Sequence, residues 1–390
     1  MPRPETSQTG NDTPMEQSTD LWSVVTVTVG ITVFSVAQGL TYPLIALILA
    51  ERGVSDAMIG LNAAAYIAGL GLSVLVIPTF SRRLRASQVI VAGLFGTALA
   101  VLGFALTQSL LAWFLLRFFM GACVNAIYVF GEAWLNEATS DTVRGRVSGM
   151  YSAGMSAGFV VGPLAIPLFG TANGWAFACC ALLLSAVAFV LALMARRAKV
   201  EPEKPYLSDV PTFIRSSPAL ASLVLLFGFV DVIALSLMPV YMTNNGAGSG
   251  MAATMVAVLC GGMVVAQPLL GLLLDRMNRW QVARLCLWVM AAIFVLMPLL
   301  PITHPLVWPL AALGGAAISG LYTTALAILG REHKGRMLVA GASVFSLAYA
   351  GGGVIGPAFA GGISNAAPGL VFLPIVIMGA VGAWVLRHRR

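Results

Sequence analysis

RRAKVEPEKPYLSDVPTFIRSS, residues Arg196 to Ser217, is the longest polar stretch in the interior of the chain, with five basic residues and three prolines. On both sides of it the sequence is almost continuously apolar, broken by short loops. Segments of about 20 apolar residues have the length a helix needs to cross the hydrocarbon of a bilayer. Six precede Arg196, at roughly 22–48, 57–80, 87–107, 110–134, 145–170 and 173–194. Six more follow, at roughly 217–242, 251–274, 281–301, 306–330, 337–362 and 367–386. In lipid only helices and closed barrels satisfy every backbone polar group, and these runs are far too long for barrel strands. The expected fold is therefore an all-α membrane protein of twelve transmembrane helices in two pseudo-symmetric six-helix bundles. The bundles are expected at 21–195 and 217–390, with a linker at 196–216 and a disordered tail at 1–20.

Composition agrees. The 390 residues are 59% hydrophobic and 9% charged, against about 25% charged in a soluble domain. No apolar segment precedes Leu21, so no cleavable leader is expected. The formal charge of +7 admits a nucleic-acid binder until the charges are placed. All Lys and Arg except Arg52 and Arg117 fall on the tails or on alternate loops, on one face of a twelve-span arrangement. Cationic loops stay cytoplasmic, so both termini are expected inside a bacterial inner membrane, and no nucleic-acid partner is needed. Cys123, Cys179, Cys180, Cys260 and Cys286 lie in apolar stretches without metal-ligand spacing and read as packing residues. His304, His333 and His388 are scattered. With no nucleophile–base set, metal cluster or phosphate loop in view, neither an enzyme nor a cofactor is expected.

The halves repeat one another. Gly162-Pro163 recurs as Gly356-Pro357, an offset of 194, and the same offset carries Ser81–Arg85 onto Asp275–Arg279. Two related six-span halves are a transporter architecture, with a site near the midplane between them.

Three charges lie well inside the spans: Arg117, Glu132 and Asp231. Charge in hydrocarbon is costly and marks function by default. At 100° per residue Arg117, Gly121, Asn125, Tyr128 and Glu132 share a stripe about 80° wide, which must face a cavity or a neighbouring helix. Arg117 and Glu132 are roughly 22 Å apart along it and cannot pair. Asp231 is expected to carry a proton or meet a cationic substrate, with Arg117 facing the same cavity; the alternative is an ion pair or cap that fixes one conformation. Glu132 either joins them or ties down Arg144 and Arg146. Gln38, Tyr42, Asn62, Tyr66, Asn125, Tyr128, Gln267, Tyr322 and Tyr349 are candidate cavity-lining residues, each of which also reads as an interhelical hydrogen bond. Gly154, Gly158 and Gly162 stand at four-residue spacing before Pro163 and allow close helix approach; they are expected to pack the fifth span across to the other half as a gate, the alternative being that the spacing serves only to pack helices. Gly351, Gly352, Gly353 and Gly356, ahead of Pro357, do the same for the eleventh span.

These residues resemble the major facilitator superfamily over 21–390. The loop signature Gly-x-x-x-Asp-Arg-x-Gly-Arg appears after the eighth span as Gly271, Asp275, Arg276, Asn278 and Arg279, and in degraded form after the second, where only Arg82 and Arg85 survive. The fourth-span Arg-x-x-x-Gly appears at Arg117 and Gly121, and the fifth-span glycine pattern is complete. Gly131–Glu137 followed by Arg144-Gly145-Arg146, with an acid at Asp231 ahead of Met238-Pro239-Val240-Tyr241, is similar to the YcaD-like branch of bacterial drug and metabolite transporters. The resemblance implies rocking of one bundle against the other, with Asp275 latching helix ends in one state. It implies a proton-coupled exporter of small amphipathic or cationic compounds, working as a monomer. The alternatives are proton-symport uptake of a metabolite and, from another class, a non-transporting sensor or scaffold.

Overall fold

The computed structural model describes residues 21–81, 85–139, 144–172, 174–194, 210–333 and 336–388; the tail at 1–20 and most of the linker lie outside them. The described residues are helical apart from short connections: α1 (Leu21–Glu51), α2 (Asp56–Ser81), α3 (Ala86–Leu106), α4 (Leu110–Ala138), α5 (Arg144–Leu164), α6 (Ile166–Phe169) and α7 (Trp175–Met194) form the first half. The second half holds α8 (Val210–Ser216), α9 (Pro218–Asn244), α10 (Ser249–Val265), α11 (Gln267–Arg276), α12 (Arg279–Leu296), α13 (Val307–Glu332), α14 (Arg336–Ala366) and α15 (Leu373–Val385). Among the described residues ten spans are long and apolar enough to cross a membrane. With the 26-residue α2 and the shorter apolar α15, they fill all twelve expected positions. The repeat offset holds in three dimensions: α2 shifted by 194 runs 250–275, against Ser249–Arg276 for α10 plus α11.

Two spans expected to be continuous are broken. Pro167 has no N–H to give the carbonyl of Pro163, and Pro268 none to give that of Val264, so each span restarts as a second helix (α6, α11). Pro163 and Pro357, by contrast, sit inside unbroken α5 and α14. The linker end is structured too. Phe213 of α8 is fully buried and stacks on His333 with ring centroids 4.9 Å apart, while Ser217 Oγ lies 3.1 Å from His333 Nε2.

Leu99 of α3, Leu182 and Phe189 of α7, Trp288 of α12 and Trp384 of α15 are exposed. Apolar surface of that extent marks the lipid-facing belt of a membrane protein.

The glycines of α5 correct the gate expectation. Gly154 faces Thr32, Gly158 faces Ser35 and Val36, and Gly162 faces Val36 and Leu40, all on α1 of the same half. A Cβ at Gly158 would meet Ser35 Cβ at 2.6 Å and Val36 N at 2.7 Å, so this face admits no side chain. Likewise Gly352 and Gly356 face Leu225 and Phe229 of α9 within the second half. Small residues let the helices of one bundle approach closely, and the pattern holds each bundle together. Gly158→Leu is therefore expected to cost about 1–3 kcal/mol or more by overpacking. A thermal melt of the purified protein should show a lowered midpoint, with distances across the two halves unchanged.

The halves meet elsewhere. α2 runs along α14, and α5 with α6 along α10, two contacts that the 194-residue repeat converts into each other, while α1 meets α9 between them. Gly60 lies against the Pro357 carbonyl, Gly361 against that of Asp56, Gly353 against Ile67 and Gly71 against Ala350. At the end of this seam Asp56 Oδ2 accepts from Ser364 Oγ at 2.5 Å and from Asn244 Nδ2 at 3.3 Å. These contacts lie toward the face opposite the basic loops, which is closed. On the basic face Asp275 is exposed and makes no ion pair with a described residue.

Candidate functional site

Backbone contact between α2 and α4 places the first charged residue. Gly69 lies against the Phe118 carbonyl, and Gly121 against the Tyr66 carbonyl and Leu70 N, so a Cβ at either would strike main chain. Arg117, one turn before Gly121, is thereby pressed onto α2 and is 1% exposed. Its Nε donates to Asn62 Oδ1 at 3.3 Å. Its guanidinium carbon sits 5.2 Å from the Tyr42 ring centroid and 5.5 Å from that of Tyr66, and the two rings pack edge-on at 5.4 Å.

Energetics make this arrangement informative. An Arg inside a membrane helix is costly, by about 3 kcal/mol at the helix centre and less toward an end such as the one Arg117 lies near. Two cation–π contacts of roughly 1–2 kcal/mol each and one hydrogen bond to a charged group offset much of that. They leave geometry unfinished: of the five N–H donors of a guanidinium, one is used by a described residue, and Nη1 is enclosed without a partner. No carboxylate among the described residues pairs with it.

The second charge is built the same way on the other half. Asp231 is thirteen residues from each end of α9 (231 − 218 and 244 − 231) and is buried. Gly228, one turn earlier, lies against the Tyr349 carbonyl of α14. That approach puts the Tyr349 hydroxyl opposite the carboxylate, to which it donates at 3.0 Å. No described basic residue pairs with Asp231. Tyr42, on α1, is within electrostatic reach of both Arg117 and Asp231 and bridges the halves.

Around this axis stand most of the residues expected from sequence. Tyr128 donates to Gln38 Oε1 at 3.1 Å and packs edge-on to Phe34. Tyr322 stacks on Phe227 at 5.1 Å, and Phe227 reaches Tyr349 at 5.5 Å. Asn125 belongs to the packing of its own bundle, donating to Ser73 Oγ at 2.9 Å. Gln267 is exposed, accepts from Thr323 and donates to the Met263 carbonyl, and does not join the cluster. Glu132 lies on α4, with its side chain and those of Arg144 and Arg146 outside the described residues. Arg276 and Arg279 border a cleft with Arg331 and Glu332 at the basic face, and Gly271 faces open space.

Sequence reasoning missed Phe227, an apolar residue one turn before Asp231. It also missed the Asp56–Ser364–Asn244 cluster, although a lone acid at the start of the second span was a signal.

A polytopic helical protein with two repeated bundles, a seam closed on one face and an unpaired charge buried in each bundle has the architecture of a membrane transporter. The family model of the Major Facilitator Superfamily matches residues 27–313 and 220–390, and the chain belongs to that superfamily. It is 25% identical over 348 residues to the uncharacterized MFS-type transporter YfkF of Bacillus subtilis, covering 87% of both chains. It is 24% identical over 334 residues to the uncharacterized MFS-type transporter YcaD of Escherichia fergusonii, covering 85% of this chain and 86% of the relative. Among solved structures it is similar to the nucleoside transporter NupG, with a TM-score of 0.77 at 13% identity over 93% of this chain and 98% of that one. It is also similar to a bacterial homologue of the human lysosomal transporter Spinster in an inward-facing, unoccupied conformation, with a TM-score of 0.73 at 16% identity over 95% and 92%. These last two likenesses concern the fold.

Proposed function

We propose that the chain moves a small amphipathic molecule across a bacterial inner membrane by alternating access, coupled to proton movement at Asp231. The observation that carries this reading is Asp231 itself: buried at mid-membrane on the seam, held by the Tyr349 hydroxyl and without a described basic partner. A carboxyl so placed suits a proton relay, exchanging its proton on one face and then the other as the bundles rock. With the basic loops cytoplasmic, the closed seam faces the periplasm. The monomer holds both halves of the site and is the working unit.

Two senses of coupling follow from the two charges. Antiport export of amphipathic or cationic compounds is favoured by resemblance, through the fifth-span glycine pattern, and by an Asp231 that a substrate cation can meet. Symport uptake is the second reading, favoured by the unpaired donors of Arg117. Purified protein in liposomes loaded with a pH-sensitive dye tests both, against a panel of lipophilic cations and amphipathic carboxylates. At least one class is expected to drive proton movement, and its direction relative to the substrate separates antiport from symport. If no compound in either class moves protons above protein-free liposomes, the coupling reading is wrong.

A further inference from the structure

We infer that Arg117, Asn62, Tyr42 and Tyr66 form a subsite for the carboxylate of an amphipathic organic monoanion. The inference rests on the reading of the seam as the substrate path and chooses, between the cationic and anionic substrates admitted above, the anion that Arg117 favours. Four side chains on three helices present polar hydrogens without a hydrogen bond in this conformation: Arg117 Nη1, Asn62 Nδ2, and the hydroxyls of Tyr66 and Tyr42, the last with Gln38 and Tyr349 near it. All four residues are 1% exposed or less. They converge through contacts already fixed: Asn62 accepts from Arg117 Nε, and both tyrosine rings lie beside the guanidinium.

The large majority of buried polar side-chain atoms are hydrogen-bonded, and of the twelve that find no partner among the described residues four gather in this one cluster, which calls for a common explanation. Hydroxyls can rotate to serve as acceptors, but a guanidinium and an amide NH2 only donate, and Arg117 Nη1 and Asn62 Nδ2 have no acceptor in reach. A carboxylate offers acceptors alone, and its two oxygens match the planar fork of Arg. One cation balances one negative charge, which favours a monoanion over a phosphate dianion. The bordering aromatic rings, Phe34 beside Tyr128 and Phe227 beside Tyr322 and Tyr349, suit an apolar body attached to that group. In this conformation the donors are enclosed, so the carboxylate reaches them as the bundles rearrange, its oxygens replacing the tyrosine faces as neighbours of the guanidinium.

Binding, measured without any proton gradient, tests the subsite separately from coupling. Thermal unfolding of the purified full chain would be followed with 4-phenylbutyrate, its neutral amide and 4-phenylbutylamine at concentrations up to about 10 mM, a range that detects dissociation constants near 1 mM. The carboxylate is expected to raise the midpoint of the wild type, and the amide and amine to leave it unchanged. Arg117→Gln should abolish the shift. Arg117→Lys, which keeps the charge but not the fork, should weaken binding by roughly tenfold or more. Because removal of a buried Arg can impair folding, Asn62→Leu and Tyr66→Phe serve as milder variants and should each weaken binding several-fold while remaining monodisperse. Equal carboxylate binding by wild type and Arg117→Gln, stabilisation by the amine instead, or no stabilisation by any of the three would overturn the subsite. Proton-coupled transport read in liposomes stands or falls independently of these outcomes.

Discussion

Asp231→Asn is expected to reduce substrate-driven proton movement to the level of protein-free liposomes while leaving substrate exchange in the absence of a gradient. Asn is close to Asp in size and keeps an oxygen that can accept from Tyr349, now at 3.0 Å, so the contact between α9 and α14 survives. What it loses is the exchangeable proton. Retained exchange would place the defect in coupling rather than in binding or folding, which a wholly dead variant could not do. Tyr349→Phe supplies the complementary reading: a hydrogen bond to a charged group contributes roughly 1.5–3 kcal/mol. Its removal should slow coupled transport by about tenfold to a hundredfold without abolishing it. Proton movement in Asp231→Asn within about twofold of wild type would make Asp231 structural and pass the role to Glu132.

How much of this was legible depends on the physics behind each feature. The twelve spans were, because crossing a bilayer is a test of length and hydropathy that short-range sequence satisfies or fails. Arg117 and Asp231 were, because charge in hydrocarbon is rare and conspicuous. The breaks after α5 and α10 were not: Pro163 and Pro357 look as disruptive as Pro167 and Pro268, yet tertiary packing carries the helix through the first two and not the second. The partner of the α5 glycines was also hidden. Four-residue spacing says that a helix comes close, not which one, and the partner is α1 rather than a helix of the other half. Asp56 and Ser364 are 308 positions apart, beyond the reach of any local pattern. Asn62 and Tyr66 were expected to line a cavity, without a sign that they would meet at Arg117. Their shared arginine follows from the contacts of Gly69 with Phe118 and of Gly121 with Tyr66 between α2 and α4, a fact of packing that no single helix records.

The seam between α2 and α14 leads to the second large effect. Gly60→Ala is expected to open the closed face and lower transport by roughly 5- to 150-fold. In an isolated helix Ala in place of Gly gains up to about 1 kcal/mol, so the sign depends on what the new methyl meets. At Gly60 it meets the Pro357 carbonyl, main chain that cannot rotate aside, and overpacking costs about 1–3 kcal/mol. The closed state alone bears that cost, since the parted helices leave the methyl free. A two-state equilibrium shifted by 1–3 kcal/mol changes populations by about 5- to 150-fold. The Asp56 bonds to Ser364 and Asn244 end the same seam and should break with it. Spin labels at Ser55 and Asn365, in a background lacking the five native cysteines, report the distance across this face. The distribution is expected to move to longer values in Gly60→Ala and further in Gly60→Leu. Gly362→Ala is the control: it lies on α14 next to Gly361, yet a Cβ there meets nothing within 4 Å, so it should leave both distance and transport as in wild type. An unchanged distribution in Gly60→Ala with intact transport would mean that α2 and α14 are not the closing surfaces.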